Sequence, residues 1–431
     1  MRPGARISAA IEVLGEVIDR HRPVSMALAD WGRAHRFAGS GDRSAIGNLV
    51  YDALRRRASL AFAMGSDSAR AIAIGAAPEA LGISADDVIK MCTGEDHAPG
   101  SLDERETVGL HSPPSGAEPH IVADVPEWLW PEFVAQFGER AVAEGQALAK
   151  RAPADLRVNT LKSTRERVMK ALASFTPEET PFSPLGVRIA APVGPSRTPN
   201  LQAEAAFQAG WFEVQDEGSQ LAAILSGAGP RMQVLDLCAG AGGKTLAMSA
   251  AMQNTGQIYA YDDDRERLKA IFERVKRAAT RNIQVLRARD TTALAALGDR
   301  FDVVLVDAPC TGTGVWRRRP EAKWRLKQAN LDARMAEQVA VLDSGARHVK
   351  PGGRLVLVTC SLLARENTDQ VRAFIERHTD FKVVPYAETW KAALESEPPV
   401  SADGSTETLL LTPASHGTDG FFIAVLERSA A

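Results

Sequence analysis

The 431 residues carry 51 Lys and Arg against 54 Asp and Glu, a net charge of -3, and 45% are apolar, enough for a substantial core and more than one domain. Four cysteines with no C-x-x-C pair and eight scattered histidines argue against a zinc site or a disulfide framework, so a reducing compartment and no metal are expected. No apolar run approaches membrane-spanning length, and the arginine-bearing amino terminus lacks the apolar centre of a secretory signal, which makes the cytoplasm the expected location.

Residues 1–92 read as a helical domain, with apolar residues at helical spacing over 7–18, 27–35 and 45–60. The third stretch contains Arg55, Arg56 and Arg57, read first as a solvated helix face and second as a phosphate contact. Charge is uneven: residues 1–75 hold eleven arginines and seven carboxylates, whereas 76–125 hold two basic and ten acidic side chains. The Pro- and Gly-bearing acidic stretch 93–124 therefore reads as a linker that hides basic surfaces from the bulk count. Residues 125–205 read as a small α/β module, helical over 126–149, with strand-like L-R-V-N-T-L and a helix from 163. A larger domain, 206–431, is entered through 213–225.

Five short apolar runs in that domain, 234–237, 258–261, 283–286, 301–307 and 354–359, read as strands, the last two, rich in Val and Leu and flanked by Pro and Gly, as parallel ones. The first leads into D-L-C-A-G-A-G-G-K-T, residues 236–245, whose glycines let backbone approach a ligand and free the first N–H groups of the next helix. A P-loop needs Gly where Cys238 stands, so that reading fails. The second strand ends at Asp262, placed to bond ribose hydroxyls, and Asp290 follows the third, placed to border an adenine. Asp263 and Asp264 read as caps of the helix near Arg265.

Cys310 in D-A-P-C-T-G-T-G and Cys360 in V-T-C-S each follow a strand. In an open α/β sheet both thiols would face the crevice beyond the strand ends, and on neighbouring strands about 4.8 Å apart they would serve one substrate. Such a pair points to chemistry on a pyrimidine ring. Inert core cysteines are the weaker alternative, because each thiol sits in a specific motif. Beyond Cys310, Arg317, Arg318, Arg319 and Lys323, interleaved with Trp316 and Trp324, are expected to contact RNA phosphates.

These motifs, with D-G-F-F-I-A at 419–424 and Glu366-Asn367 after V-T-C-S, resemble the S-adenosylmethionine-dependent RNA cytosine-5 methyltransferases of the RsmB/Nop/Sun type, over about residues 125–426. The resemblance implies an α/β fold: a Rossmann-like class I methyltransferase core with a seven-strand mixed sheet, preceded by a small α/β module and an N-terminal helical domain. The segment 42–57 further resembles a NusB-like RNA-binding domain. The resemblance implies S-adenosylmethionine held by Cys238, Ala239, Gly240, Ala241, Gly242, Gly243 and Lys244, ribose contact by Asp262, adenine contact near Asp290, and Asp307 at both cofactor and target base. Ala241 stands where the family has proline, which loosens the turn without removing a ligand group. Spacing leaves open which thiol attacks, since DNA cytosine methyltransferases use the Pro-Cys cysteine. The resemblance assigns Cys360 as nucleophile and Cys310 as the helper in elimination. Ribosomal RNA is the favoured substrate, with transfer RNA next; an RNA-binding assembly factor that no longer turns over is the non-catalytic alternative.

Overall fold

Apolar residues at helical spacing form helices from the start of the chain. In the computed structural model, which describes residues 1–112, 115–197 and 199–430, α1 (Pro3–Ile18), α2 (Val24–Ala34), α3 (Ser40–Arg55), α4 (Arg57–Met64) and α5 (Ala69–Leu81) succeed one another. Ile7, Leu14, Ile46, Leu49 and Ile72 are fully buried in their shared core, each burial contributing roughly 1.5–3 kcal/mol. Ser68 caps α5 by accepting from the Ala71 amide, and Gly82 ends it in the left-handed region at φ 65°, which glycine adopts without a Cβ penalty.

The acidic stretch 93–124 is not a linker. It forms the helices Glu104–His111 and Pro119–Val122; Pro113 and Pro114 lie outside the described residues. Its carboxylates have structural partners. Asp103 and Glu106 make a capping box, Glu106 pairs with Arg70 at 2.7 Å, and buried Asp124 accepts from the Ala58 and Ser59 amides at 2.9 and 3.0 Å. Composition misread these residues because their partners are distant in sequence.

Two compact units divide the chain, one comprising Met1–Ala152, Ala191–Pro199 and Trp316–Arg325, the other Pro153–Ala190, Asn200–Val315 and Leu326–Ala431. By contact, the helices Trp130–Phe137 and Ala141–Leu148 fall in the first unit. So does the segment after the Cys310 loop. Trp316 stacks on Phe133 with ring centroids 5.8 Å apart, and the Trp324 indole N–H donates to the Leu54 carbonyl at 2.6 Å.

In the second unit, β1 (Ala154–Val158), β2 (Glu178–Glu179), β3 (Gly186–Ile189) and β4 (Phe212–Val214) form an antiparallel sheet in the order β2-β3-β1-β4. The larger sheet contains β5 (Gln233–Asp236), β6 (Gln257–Ala260), β7 (Ile283–Val285), β8 (Phe301–Asp307), β9 (Val349–Thr359), β10 (Phe381–Val384), β11 (Leu409–Leu411) and β12 (Phe421–Arg428). Its order is β10-β12-β9-β8-β5-β6-β7, with parallel pairing from β7 to β9 and antiparallel pairing around β12. Those seven strands match the expected sheet; β11 is an eighth, pairing with the first residues of β12, and its three residues are too short to read from sequence. Val234, Ile258, Val303, Leu305, Val356 and Ile423 are buried in the core around this sheet. The chain adds β6 and β7 to one side of β5 and β8 and β9 to the other. Such a switch point opens a crevice beyond the carboxyl ends of the strands.

Candidate active site

Beyond β5 the chain turns through residues 237–242 into the helix Gly243–Ala251. Gly242 is left-handed at φ 81°, and a Cβ there would lie 2.5 Å from Ile271, so only glycine lets this turn close against the neighbouring helix. Ala241 lacks the family proline, but its carbonyl accepts from Arg274 at 2.9 Å and Arg274 is itself paired with Glu213 at 2.9 Å. This tether holds the turn that the missing proline was expected to loosen. Buried Asp236 accepts from the Thr245 hydroxyl at 2.6 Å, and burial pushes its pKa up to about 7. Burial likewise drives the Cys238 thiol well above its ordinary range, as befits a packed, unreactive sulfur.

Asp262 is buried at the tip of β6, its carboxylate accepting from the Gly240 amide and the Asp264 amide, both at 2.8 Å. It thereby joins the β5 and β6 loops. Asp264 caps the following helix through the Glu266 and Arg267 amides, as expected, whereas Asp263 accepts from the Tyr261 hydroxyl instead. Asp290 caps the helix Thr291–Ala295 through the Ala293 amide at 2.9 Å.

Lys244 and Asp307 meet across the crevice at 2.7 Å, the lysine buried and the carboxylate one-third exposed. Lys244 Nζ also lies 5.3 Å from the centre of the Phe421 ring. Residues 419–424 thus sit close to the crevice, and Gly420 approaches Gly314 so tightly that a Cβ on Gly314 would lie 2.4 Å from the Gly420 carbonyl oxygen.

The parallel register of β8 and β9 sets Asp307 opposite Val358, and the two thiols beyond them, Cys310 and Cys360, lie with sulfurs 3.4 Å apart. Hydrogen bonding to Cys360, with burial, holds the Cys310 thiol well above its ordinary pKa. Either sulfur can be the donor of this contact, so a proton on Cys310 is within reach of the Cys360 sulfur. Glu366, fully buried, ties the two loops: its carboxylate accepts from the Thr311 amide at 2.7 Å and from the Thr311 and Ser361 hydroxyls. Burial raises its pKa against the pull of these bonds. Asn367 completes the clamp, accepting from the Thr359 hydroxyl at 2.6 Å and donating to the Ser361 carbonyl at 2.9 Å. Sequence reasoning quoted Glu366 and Asn367 only as part of a motif; the hydroxyl residues flanking each cysteine were the signal for their role.

The expected phosphate contacts fare differently. Lys323 is buried, donates to the Arg55 carbonyl at 2.7 Å, and burial pulls its pKa down to about 8. Arg317 is also buried, its carbonyl accepting from Arg55 at 2.8 Å. Neither presents its charge to solvent, whereas Arg318 is half-buried and Arg319 exposed. Spacing behind Cys310 suggested one basic cluster, but the chain folds this segment into the helical unit.

Comparison with known proteins agrees with this geometry. Residues 224–427 match the family model of the 16S rRNA methyltransferases RsmB/F, and residues 125–195 match the ferredoxin-like domain of RsmF/B-like methyltransferases. The chain is 31% identical over 313 residues to a probable ribosomal RNA small subunit methyltransferase B of Synechocystis, covering 70% of this chain and 67% of the relative. It is 33% identical over 305 residues to the ribosomal RNA small subunit methyltransferase B of Cronobacter sakazakii, covering 70% and 66%. Among solved structures, that of PH0851 is similar over 99% of both chains, with a TM-score of 0.74 and 27% identity. With the glycine turn, the paired thiols and the Lys244–Asp307 contact at one end of the sheet, with family models matched over both the ferredoxin-like and catalytic segments, and with a relative 31% identical over 70% of the chain, this chain belongs to the RsmB/F family of ribosomal RNA methyltransferases.

Proposed function

We propose that this chain methylates C5 of a cytosine in ribosomal RNA, using S-adenosylmethionine and a transient covalent bond between Cys360 and C6 of the base. The observation that carries the reading is the pair of sulfurs 3.4 Å apart beyond the ends of β8 and β9. Cytosine C5 is a poor nucleophile until another nucleophile has added at C6, and a thiolate attacks well near neutral pH. In this scheme Cys360 sulfur bonds to C6 and the displaced electron pair makes C5 nucleophilic. Asp307, held by Lys244, accepts from the pyrimidine edge and stabilises the activated ring. C5 would take the methyl group as the sulfonium–methyl bond breaks and leaves a thioether; water then accepts the C5 proton, the C5–H electron pair forms the C5–C6 double bond, and the C6–sulfur bond breaks with Cys360 leaving as thiolate. Cys310 assists that elimination.

The residues fit the cofactor. The positive φ of Gly240 and Gly242 opens the turn to a close ligand, backbone N–H groups at the start of the helix Gly243–Ala251 suit a carboxylate, and Asp262 at the tip of β6 suits ribose hydroxyls. When bound, S-adenosylmethionine supplies an electrophilic methyl group. Asp262→Ala is expected to weaken its binding by about 1–3 kcal/mol, the loss of a charged hydrogen bond, and calorimetry on the full chain measures it. An unchanged dissociation constant would leave Asp262 with only its tie to the Gly240 and Asp264 amides.

Glu366→Gln should separate alignment of the thiols from binding. An amide places N–H donors against hydroxyls that now donate, so the two cysteine loops lose their common acceptor. The turnover number is expected to fall about 10- to 100-fold, as for misplacement of reacting groups by about 1 Å, with the KM for S-adenosylmethionine unchanged. Equal kcat in the variant would remove Glu366 from the reaction.

The reading as a whole is tested by transfer of labelled methyl to matched RNA and DNA, followed by bisulfite mapping of RNA from cells lacking the protein. A missing 5-methylcytosine in small-subunit ribosomal RNA supports it. A missing one in transfer RNA moves the substrate while keeping the chemistry, and no transfer to any RNA overturns it.

A further inference from the structure

One face of the catalytic unit is far more basic than the chain. Residues 265–289 hold nine Arg and Lys side chains and two carboxylates, in a protein of net charge -3. Arg274 and Arg277 turn inward onto Glu213 at 2.9 and 2.6 Å. The other seven are exposed. Of these, Lys269 lies beside Glu266 at 3.3 Å and Arg267 stands 3.9 Å from Asp262, while Arg265, Lys276, Arg281, Arg287 and Arg289 have no carboxylate partner among the described residues.

Between the helices Arg265–Leu268 and Ile271–Ala278 and the loop after β7 lies a cavity of about 600 Å³. Leu268 and Leu286 contribute apolar lining, and Phe272, 60% exposed, lines it as well. Arg265, Lys269, Arg287 and Arg289 also line it, outnumbering the two carboxylates there, Asp264 and Glu266. An exposed aromatic ring among unpaired guanidinium groups serves no evident packing purpose. It matches a ligand that is anionic along its length and aromatic at intervals.

We propose that this groove holds a single-stranded segment of the substrate RNA, one unpaired base against Phe272 and the flanking phosphates on Arg265, Lys269, Arg287 and Arg289. An A-form duplex offers phosphates but keeps its base faces stacked, so the apolar lining selects a single strand. The inference rests on RNA being the substrate and adds where, away from the target cytosine, that RNA is gripped. The groove anchors without touching the reacting atoms, and its effect falls on affinity for RNA.

The test uses the full chain with in vitro transcribed small-subunit ribosomal RNA, comparing wild type, Phe272→Ala and the combined Arg265→Gln, Arg287→Gln, Arg289→Gln variant. RNA dissociation constants are measured across a salt series, and kcat and both KM values by labelled methyl transfer. Phe272→Ala is expected to weaken RNA binding about five- to a hundredfold, the range for one lost base stack. The triple variant should make the log–log salt slope shallower by about 2, since fewer counterions are released. Both should leave kcat at saturating RNA and the KM for S-adenosylmethionine unchanged. RNA affinity and salt slope equal to wild type would overturn the proposal, as would a rise in the S-adenosylmethionine KM alone, which would give the groove to the cofactor. Binding is read without methyl transfer: an inactive wild type whose RNA binding still falls in the variants would sink the methylation reading and leave the groove standing.

Discussion

Cys360→Ala is expected to abolish methyl transfer, by roughly 10³-fold or more in kcat, while S-adenosylmethionine binds with its wild-type affinity. The argument is one of separation within a single crevice. The groups proposed to hold the cofactor lie on the β5 and β6 loops, where Gly240 and Asp262 are joined at 2.8 Å, and Cys360 follows β9, on the far side of β8 in the sheet. Removing one sulfur there leaves the turn, its Arg274 tether and the Lys244–Asp307 pair intact. The Cys360 carbonyl that accepts from the Gly314 amide at 2.9 Å is also retained in alanine. Calorimetry with S-adenosylmethionine and single-turnover methylation of RNA are the paired measurements. Substantial turnover would remove Cys360 as nucleophile; loss of cofactor binding together with turnover would mean that the substitution had disturbed the loop itself.

The sheet was legible because its strands are nearly continuous apolar runs, 301–307 and 354–359 above all, and such runs mark strands buried on both faces. Their adjacency was an expectation that the register of Asp307 with Val358 now fixes. Motif position also placed both thiols and the glycine turn at one end of the sheet. What sequence left dark was long-range pairing. Nothing near Ala241 announces Arg274, 33 residues on, as the donor to its carbonyl, and nothing in the acidic stretch 93–124 names Arg70 or Ser59 as partners. Local composition misplaced Arg317 and Lys323 for the same reason: a basic run reads as exposed until the fold supplies the Arg55 group that buries it. Conversely, the basic face at 265–289 was hidden in a near-neutral total. Its charges lie on two helices and a loop that only the parallel β6–β7 pairing brings together.

Cys310→Ala is expected to leave attack and methylation possible but to trap the product. The variant removes a thiol 3.4 Å from the Cys360 sulfur and preserves its neighbourhood, because the Glu366 clamp grips the Thr311 amide and hydroxyl and not the Cys310 side chain. In the wild type, the Cys310 thiol is in contact with the Cys360 sulfur and can donate toward it as it departs. Without it the C6–sulfur bond persists, and a protein–RNA adduct should accumulate that survives denaturing electrophoresis. Adding Cys360→Ala to that variant should remove the adduct, since the bond it contains is the Cys360 bond. If Cys360→Ala alone accumulates adduct and Cys310→Ala alone forms none, the roles are exchanged and the Pro-Cys thiol is the nucleophile. Normal methylation in both single variants with no trapped RNA would show that neither sulfur bonds to the base, and the 3.4 Å pair would then need another explanation.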